Sequence, residues 1–268
     1  MKFSVITPSY NQGQFIDQTI KSVLSQTGDF EIEYIVADGG STDNSVKIIK
    51  KYHKLLKEKK YPTKCQKIKY IWWSKKDKGQ SDAINQGFKK ASGDIVAWLN
   101  SDDYYLPNCF QLVAQKFSQN PQSQWLTGYC QIVGSNGRPV RHFIQKYKNF
   151  WLNHYSYNKL LVLNFISQSA TFWRHSMHDK IGWLNEHLHY AMDYDFWLRI
   201  GKISDPIILK DNVAQFRIHA KSKGKTNFNQ QFQEDFEVVK KYTKNKFLIV
   251  IHNLHNCIIT KIYNLIHL

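Results

Sequence analysis

Five consecutive apolar residues, Ile95-Val96-Ala97-Trp98-Leu99, run straight into Asn100-Ser101-Asp102-Asp103. A segment with no polar alternation predicts a strand covered on both faces, as inner strands of parallel sheets are. Parallel strands need crossover helices, and the preceding chain supplies them. Phe3 to Ile6 is a first strand; Asn11 and Gly13 break it, and Phe15, Ile16, Ile20, Val23 and Leu24 then recur at helical spacing. Tyr34-Ile35-Val36-Ala37 is a second strand ending in Asp38-Gly39-Gly40-Ser41-Thr42-Asp43. The paired glycines there permit a tight path, and Ser41 or Thr42 is placed to cap a helix that buries Val46, Ile49 and Leu56. Tyr70 to Trp73 is a third strand, and Gln80 to Ala91 reads as a helix. The alternation predicts an α/β fold with a mostly parallel twisted sheet flanked by helices. In such sheets ligands bind beyond the carboxyl ends of the strands, where each polar cluster lies.

Beyond Pro107 the alternation loosens. Asn108 to Phe117 and Met192 to Ile203 read as helices, and Trp125 to Val133, Gln168 to Trp173 and Val213 to Ile218 as strands. Asn136-Gly137 is a hairpin-type turn, and the aromatic stretch 143–166 takes no clear assignment. With no repeat or low-complexity linker, a soft boundary near residue 105 falls inside one domain. The 268 residues, 42% of them hydrophobic, suffice for one large core and an appendage, and exclude wholesale disorder. That appendage is the final stretch, where Phe247, Ile251, Leu254, Ile258, Ile262 and Leu265 form one helical stripe. Lacking roughly 20 predominantly apolar residues, it is expected to lie on a surface, a membrane or its own domain, rather than to span a bilayer.

The formal charge of +16 biases the protein toward polyanions, anionic lipid or phosphorylated small molecules. The basic run from Lys47 to Lys60 reads as a solvated helix face and loop, since the aromatic interleaving of a nucleic-acid site is sparse there. Cys65, Cys109, Cys130 and Cys257 form no C-x-x-C pair, and the amino terminus enters a strand directly, without the pattern of a signal peptide. A reducing, cytoplasmic setting is expected.

Three acidic clusters carry the chemistry: Asp38, Asp102-Asp103, and Asp193 with Asp195. Adjacent carboxylates at a strand end offer hard oxygen ligands for Mg²⁺ or Mn²⁺, ions that neutralise a diphosphate, and a separate carboxylate can act as general base. Each cluster alone also fits helix capping or turn formation. Their order, however, resembles the family 2 glycosyltransferases. "SVITPSYNQGQFIDQTIKSVLSQT" from Ser4, "YIVADGGSTDNS" from Tyr34 and "DKGQSDAINQGFKKASGDIVAWLNSDD" from Asp77 carry the resemblance, which continues through "EHLHYAMDYDFWLRI" from Glu186 and "RIHAKS" from Arg217.

The resemblance implies a GT-A type domain over residues 1–225, with a nucleotide-binding half to about 105 and an acceptor half after it, and a helical extension over 226–268. It implies that Pro8, Ser9 and Tyr10 hold the nucleoside and that Asp38 accepts a hydrogen bond from a uracil or thymine base. Lys78, Gln80, Asp82 and Asn85 would close over the donor, Lys78 toward phosphate and Asp82 toward sugar hydroxyls. Asn100, where many relatives have Asp, would join Ser101 at the ribose or sugar. Asp102, Asp103 and His219 would hold the divalent ion, and Asp193 would be the catalytic base, with Asp195 a packing residue. The implied activity is inverting transfer from a nucleoside diphosphate sugar to a hydroxyl of a glycan or lipid-linked acceptor in polysaccharide biosynthesis. It would take place in the cytoplasm, at the inner face of a membrane, with no nucleic-acid partner. A nucleotidyltransferase on a similar scaffold and a basic adaptor without catalysis remain the alternatives.

Overall fold

The computed structural model describes residues 1–220, 222 and 228–266. Strands β1 (Lys2–Ser9), β2 (Gly28–Asp38), β3 (Cys65–Ser74) and β4 (Ile95–Trp98) run parallel, with β1 between β2 and β4. Crossovers pass through helices α1 (Ile16–Leu24), α2 (Ser45–Lys57) and α3 (Gln80–Phe88). The sheet then continues without a gap through β7 (Thr171–Arg174), β6 (Trp125–Gly134), β8 (Ile207–Ile218) and the two-residue β5 (Tyr104–Tyr105). Strand β7 is antiparallel to both β4 and β6, so the expected soft boundary near residue 105 is a change of strand direction within one sheet.

Alternation along the strands sorts the core into two layers. Phe3, Val5, Ala97 and Leu99 pack on one face with α1, α2 and α4 (Cys109–Gln119); Ile6, Val96 and Trp98 pack on the other. That second face is covered by α3, α6 (Tyr157–Val162), α7 (Met177–Ile181) and α8 (Met192–Gly201). Its centre is a stack of indoles, Trp98 on Trp197 at 5.5 Å and Trp197 on Trp125 at 6.1 Å, with Trp173 edge-on to Trp98. All four rings are fully buried, and truncating one to Ala costs about 3–5 kcal/mol.

Several elements differ from the pattern reading, each for a tertiary reason. Residues 143–166 hold α5 (His142–Asn153) and α6, whose aromatic outer positions blur the helical period. Gln168 to Ala170 form a 3₁₀ turn rather than a strand, because Gln168 Nε2 donates to the Trp98 carbonyl at 2.6 Å and Ser169 turns inward. Helix α2 is not capped by Ser41 or Thr42. Asp43 accepts from the Ser45 amide at 2.9 Å, while Ser41 donates to Asp38. Gly40, at φ +85, makes that turn, and Gly39 lies so close to Asp77 that a Cβ would meet its carboxylate at 2.6 Å.

The chain ends in helices α9 (Phe228–Tyr242) and α10 (Lys246–Ile266), which pack against one another and against α6 and α8. Here the expected stripe is turned over: His252 and Asn256 face inward, whereas Phe247, Leu254 and Ile258 face outward. The side chains of Ile262 and Leu265 and the terminal Leu268 lie outside the described residues.

One buried carboxylate locks the start of the sheet. Glu33 of β2 accepts from Ser4 Oγ at 2.7 Å, Lys69 Nζ at 2.9 Å and the Ser92 amide at 2.7 Å. Burial works to raise its pKa, yet these donors hold it at about 2, below its ordinary 4.5. A depressed carboxylate stabilises the fold above its unfolded pKa and loses that contribution as pH falls through its folded one. Glu33→Gln should therefore lower the unfolding free energy at neutral pH by about 2 kcal/mol. Urea titrations at stepped pH should also show a flatter acid limb in the variant between pH 4.5 and about 2.

Candidate active site

The acidic motif after β4 is built by a strand pairing. Immediately after Asp102-Asp103, β5 pairs antiparallel with β8, Tyr104 opposite Gln215. That register brings Arg217 and His219 back to the motif from more than 110 residues away. Asp103 is fully buried: its Oδ1 accepts from the Arg217 amide at 2.9 Å and its Oδ2 from Ser169 Oγ at 3.2 Å and Asn100 Nδ2 at 3.4 Å. Burial first, then the adjacent Asp102 carboxylate, pushes Asp103 well above the usual carboxylate range. Asp102 instead keeps 20% of its side chain exposed, with Oδ2 3.0 Å from His219 Nε2. Of the three expected metal ligands, Asp102 and His219 meet each other, whereas Asp103 faces inward with both oxygens engaged, as an internal brace.

Arg217 is a residue whose weight the sequence concealed, since a lone arginine at a strand end carries no pattern. Buried, it donates from Nε to the Asp102 carbonyl at 2.8 Å and from its two terminal nitrogens to the Ser135 carbonyl and to Gln18 Oε1. Its guanidinium also lies over the rings of Phe15 and Tyr104.

Contacts between side chains carry the site from here to α8. Asn100 Oδ1 accepts from Gln80 Nε2 at 2.8 Å, and Asn100 Nδ2 also reaches Gln168. Next to Gln80, Ser81 Oγ donates to Met192 Sδ at 2.8 Å, joining the start of α3 to the start of α8. Between them opens a cleft lined by Lys78, Gly79, Gln80, Ser81, Glu186 and His189. Asp82 borders it, accepting from the Lys78 amide and Gln86, both at 2.9 Å. Burial works to raise the Asp82 pKa, but those bonds and the Lys78 and Lys75 charges bring it below the usual range.

Two expected donor contacts are otherwise engaged. Asn85 is buried, donating to the Leu184 carbonyl and Glu186 and accepting from the Leu184 amide, all at 3.0 Å; it clamps the 184–186 loop onto α3. Asp38 is also buried, its carboxylate accepting from the Gly40 and Ser41 amides, Ser41 Oγ and Ser74 Oγ at 2.5–3.1 Å. It shapes the second loop, and its oxygens are already engaged there rather than open to a base. At the end of β1, Pro8 is buried and Tyr10 is exposed, whereas Ser9 is buried with an Oγ that has no partner among the described residues. Ser101 is buried beside Asp102, its carbonyl held by Thr19.

Asp193 lies in the first turn of α8, half-buried, accepting from the Tyr194 amide at 2.7 Å. The N-cap position is Ala191, one residue before the helix. Glu234 of α9 holds the turn that leads into α8, accepting from the amides of His189, Tyr190 and Ala191 at 2.7–3.2 Å. Asp193 is near enough to act on the ionisation of Asp235 and Lys148: burial, then the Asp193 charge, raises Asp235, while burial lowers Lys148 against the pull of both acids. Asp195 turns away, buried between Arg199 at 2.9 Å and the Tyr242 hydroxyl at 2.6 Å. Among the described residues, no group of three or more His, Cys, Asp or Glu side chains is poised to hold a metal.

A mostly parallel sheet flanked by helices, with an acidic motif after its fourth strand, is the architecture of the GT-A class. Residues 4–182 match glycosyl transferase family 2, and the chain belongs to that family. An uncharacterized glycosyltransferase of Rickettsia typhi is 25% identical over 260 residues, covering 94% of this chain and 76% of that one. Among solved structures, S. aureus TarS 1-349 in complex with UDP-GlcNAc superposes with a TM-score of 0.68 at 20% identity, over 96% of this chain and 72% of that one. The mannosyltransferase PcManGT of Pyrobaculum calidifontis, in complex with GDP-Man and Mn²⁺, gives 0.67 at 14% identity, over 94% and 68%. The family match ends before Asp193 and His219, so their place in the site rests on the contacts described above.

Removing the Arg217 side chain would strand the Asp102 carbonyl, Gln18 and Ser135 at once. Arg217→Met should lower stability by about 3 kcal/mol or more in chemical denaturation. Arg217→Lys should recover little of it, because a point charge cannot satisfy three divergent acceptors.

Proposed function

We propose that this chain is an inverting glycosyltransferase that moves a sugar from a nucleoside diphosphate to a hydroxyl of a glycan or lipid-linked acceptor in polysaccharide biosynthesis. One observation carries the reading: Asp102 and His219, 117 residues apart in sequence, meet at 3.0 Å after β4, beside the buried Asp103. An open carboxylate and an imidazole suit Mg²⁺ or Mn²⁺, which take one or two protein ligands and complete their shell with phosphate and water. Bound there, such an ion would neutralise charge developing on the leaving diphosphate.

The chain's own groups supply the rest. Lys78, exposed at the cleft, meets phosphate, and Gln80 with Asn100 positions the sugar or ribose. Asp82 is held ionised, suited to accept from sugar hydroxyls. Asp193 takes the proton of the acceptor hydroxyl as its oxygen attacks the anomeric carbon from the side opposite the diphosphate, which departs with the bonding pair. A uridine or thymidine diphosphate sugar is the proposed donor, supported by the likeness to TarS with UDP-GlcNAc, its base lying against Pro8, Ser9, Tyr10 and the loop that Asp38 shapes. On this reading residues 1–225 hold the catalytic machinery, and 226–268 brace its acceptor side through Glu234 and Tyr242.

A donor panel read by release of nucleoside diphosphate tests the class. Asp193→Asn should cut transfer by roughly 10² to 10⁴ with donor affinity near wild type, whereas Asp195→Asn should chiefly lower the melting temperature. Asp102→Ala should abolish the Mn²⁺-dependent part of donor affinity in calorimetric titration. Normal transfer by Asp193→Asn, or retained anomeric configuration in the product, would defeat the mechanism.

A further inference from the structure

Helix α10 is bound to the domain by a mixed face, on which Leu248 and Ile249 pack against the core and His252 and Asn256 are buried beside them. His252 Nδ1 bonds the Val162 carbonyl of α6 at 3.0 Å, and its Nε2 meets Asn256 Nδ2 at 2.9 Å. The ring stacks on Tyr194 and Phe236, and burial pulls its pKa down to about 4. Rolling the helix to cover its apolar side would break all of these contacts, so the apolar side stays outward. Phe247, Val250, Leu254 and Ile258 follow at intervals of three and four residues and are all exposed, Phe247 at 70%. Lys246 and Lys261, also exposed, bracket the stripe on the same face.

The stripe does not end at α10. Tyr147 of α5 bonds His255 at 2.9 Å, and seven residues apart on either side of it Phe143 and Phe150 are exposed, Phe143 at 82%. Of the ten large hydrophobic residues exposed among the described residues, six lie on these two touching helices. The sequence of both helices carries one sign of charge. No Asp or Glu occurs between Asp103 and Asp179, nor after Glu237, where Lys240, Lys241, Lys244, Lys246 and Lys261 follow. A second copy of the same face would bring lysines against lysines, whereas an anionic lipid surface offers acyl chains to the aromatic and aliphatic side chains and phosphates to the lysines. No helix among the described residues is long and apolar enough to cross a bilayer.

We propose that α5 and α10 together form a docking surface for an anionic membrane, on which the protein lies without inserting a span. Lys148, also on α5, is within electrostatic reach of Asp193, so docking through α5 would bring the membrane toward the proposed base. That consequence for catalysis rests on the function proposed above; the docking itself does not.

Flotation of the full-length chain with vesicles of phosphatidylcholine, alone or with a large share of phosphatidylglycerol, tests it. The expected result is flotation with the anionic vesicles only, weakened by added salt. Leu254→Glu, with an unchanged melting temperature, should lower the partition coefficient roughly tenfold or more, while Lys50→Glu on α2 should float like wild type. Failure to float with anionic vesicles, equal flotation with neutral ones, or equal partition of Leu254→Glu would overturn the proposal. Equal loss in Lys50→Glu would assign binding to net charge and overturn it too. So would a wild-type dimer in light scattering that Leu254→Glu converts to monomer, since a second copy would then occupy the face.

Discussion

The junction between Asp103 and Arg217 is the constraint on which the site depends. A carboxylate with no solvent exposure carries a desolvation cost of several kcal/mol, and it persists only where its oxygens are hydrogen-bonded. Here the donors come from three parts of the chain: the Arg217 amide on β8, Ser169 in the 3₁₀ turn and Asn100 beside it. Satisfying one buried group thus locates the end of β4, the turn before β7 and the end of β8 together. The Arg217 guanidinium extends the same junction to α1 through Gln18. Of two adjacent acids, the one that faces inward organises the site and the one left outside is free to do chemistry.

The same division recurs across the molecule. Glu33 ties the first strands together, Asp38 shapes the second loop, Asp43 holds the start of α2, Glu234 holds the turn before α8 and Asp195 ties α8 to α9. Many of the 21 acidic residues are therefore engaged by amides, hydroxyls and cations of the chain itself. The lysines are mostly outside, where long stems keep the ammonium group hydrated. A net charge of +16 is consequently a surface property, strongest where acids are absent from the sequence, along α5, α6 and α10.

Much of the first half was legible in the residues. Uninterrupted apolar strands, helical stripes and polar clusters at strand ends are local patterns, and the parallel sheet with its helices follows from them. Asn136-Gly137 marked its turn for the same reason, with Gly137 at φ +77. The second half was harder to read because its elements are defined by distant partners. Strand β5 is two residues long, the turn at 168–170 is held by the Trp98 carbonyl, and α5 exposes phenylalanines that a buried-stripe reading assigns inward. Glu234 gave no signal either, because a carboxylate that holds a distant turn leaves no spacing in the sequence.

Local pattern alone set the order of strands and helices in the first half, the acidic motif after β4 and the identity of the residues available for chemistry. Tertiary structure alone decided what each of those residues faces. Asp102 and Asp103 are chemically equivalent neighbours until β8 approaches one of them, and Asn85 looks like a donor contact until the 184–186 loop engages it. In α10, amphipathic spacing does not say which side is buried; Val162, Tyr194 and Phe236 hold His252 inward beside Leu248 and Ile249, which leaves Phe247, Leu254 and Ile258 outside. The physical reason is common to all three. Hydrogen-bond satisfaction in a desolvated site depends on partners far along the chain, whereas periodicity is a property of neighbours.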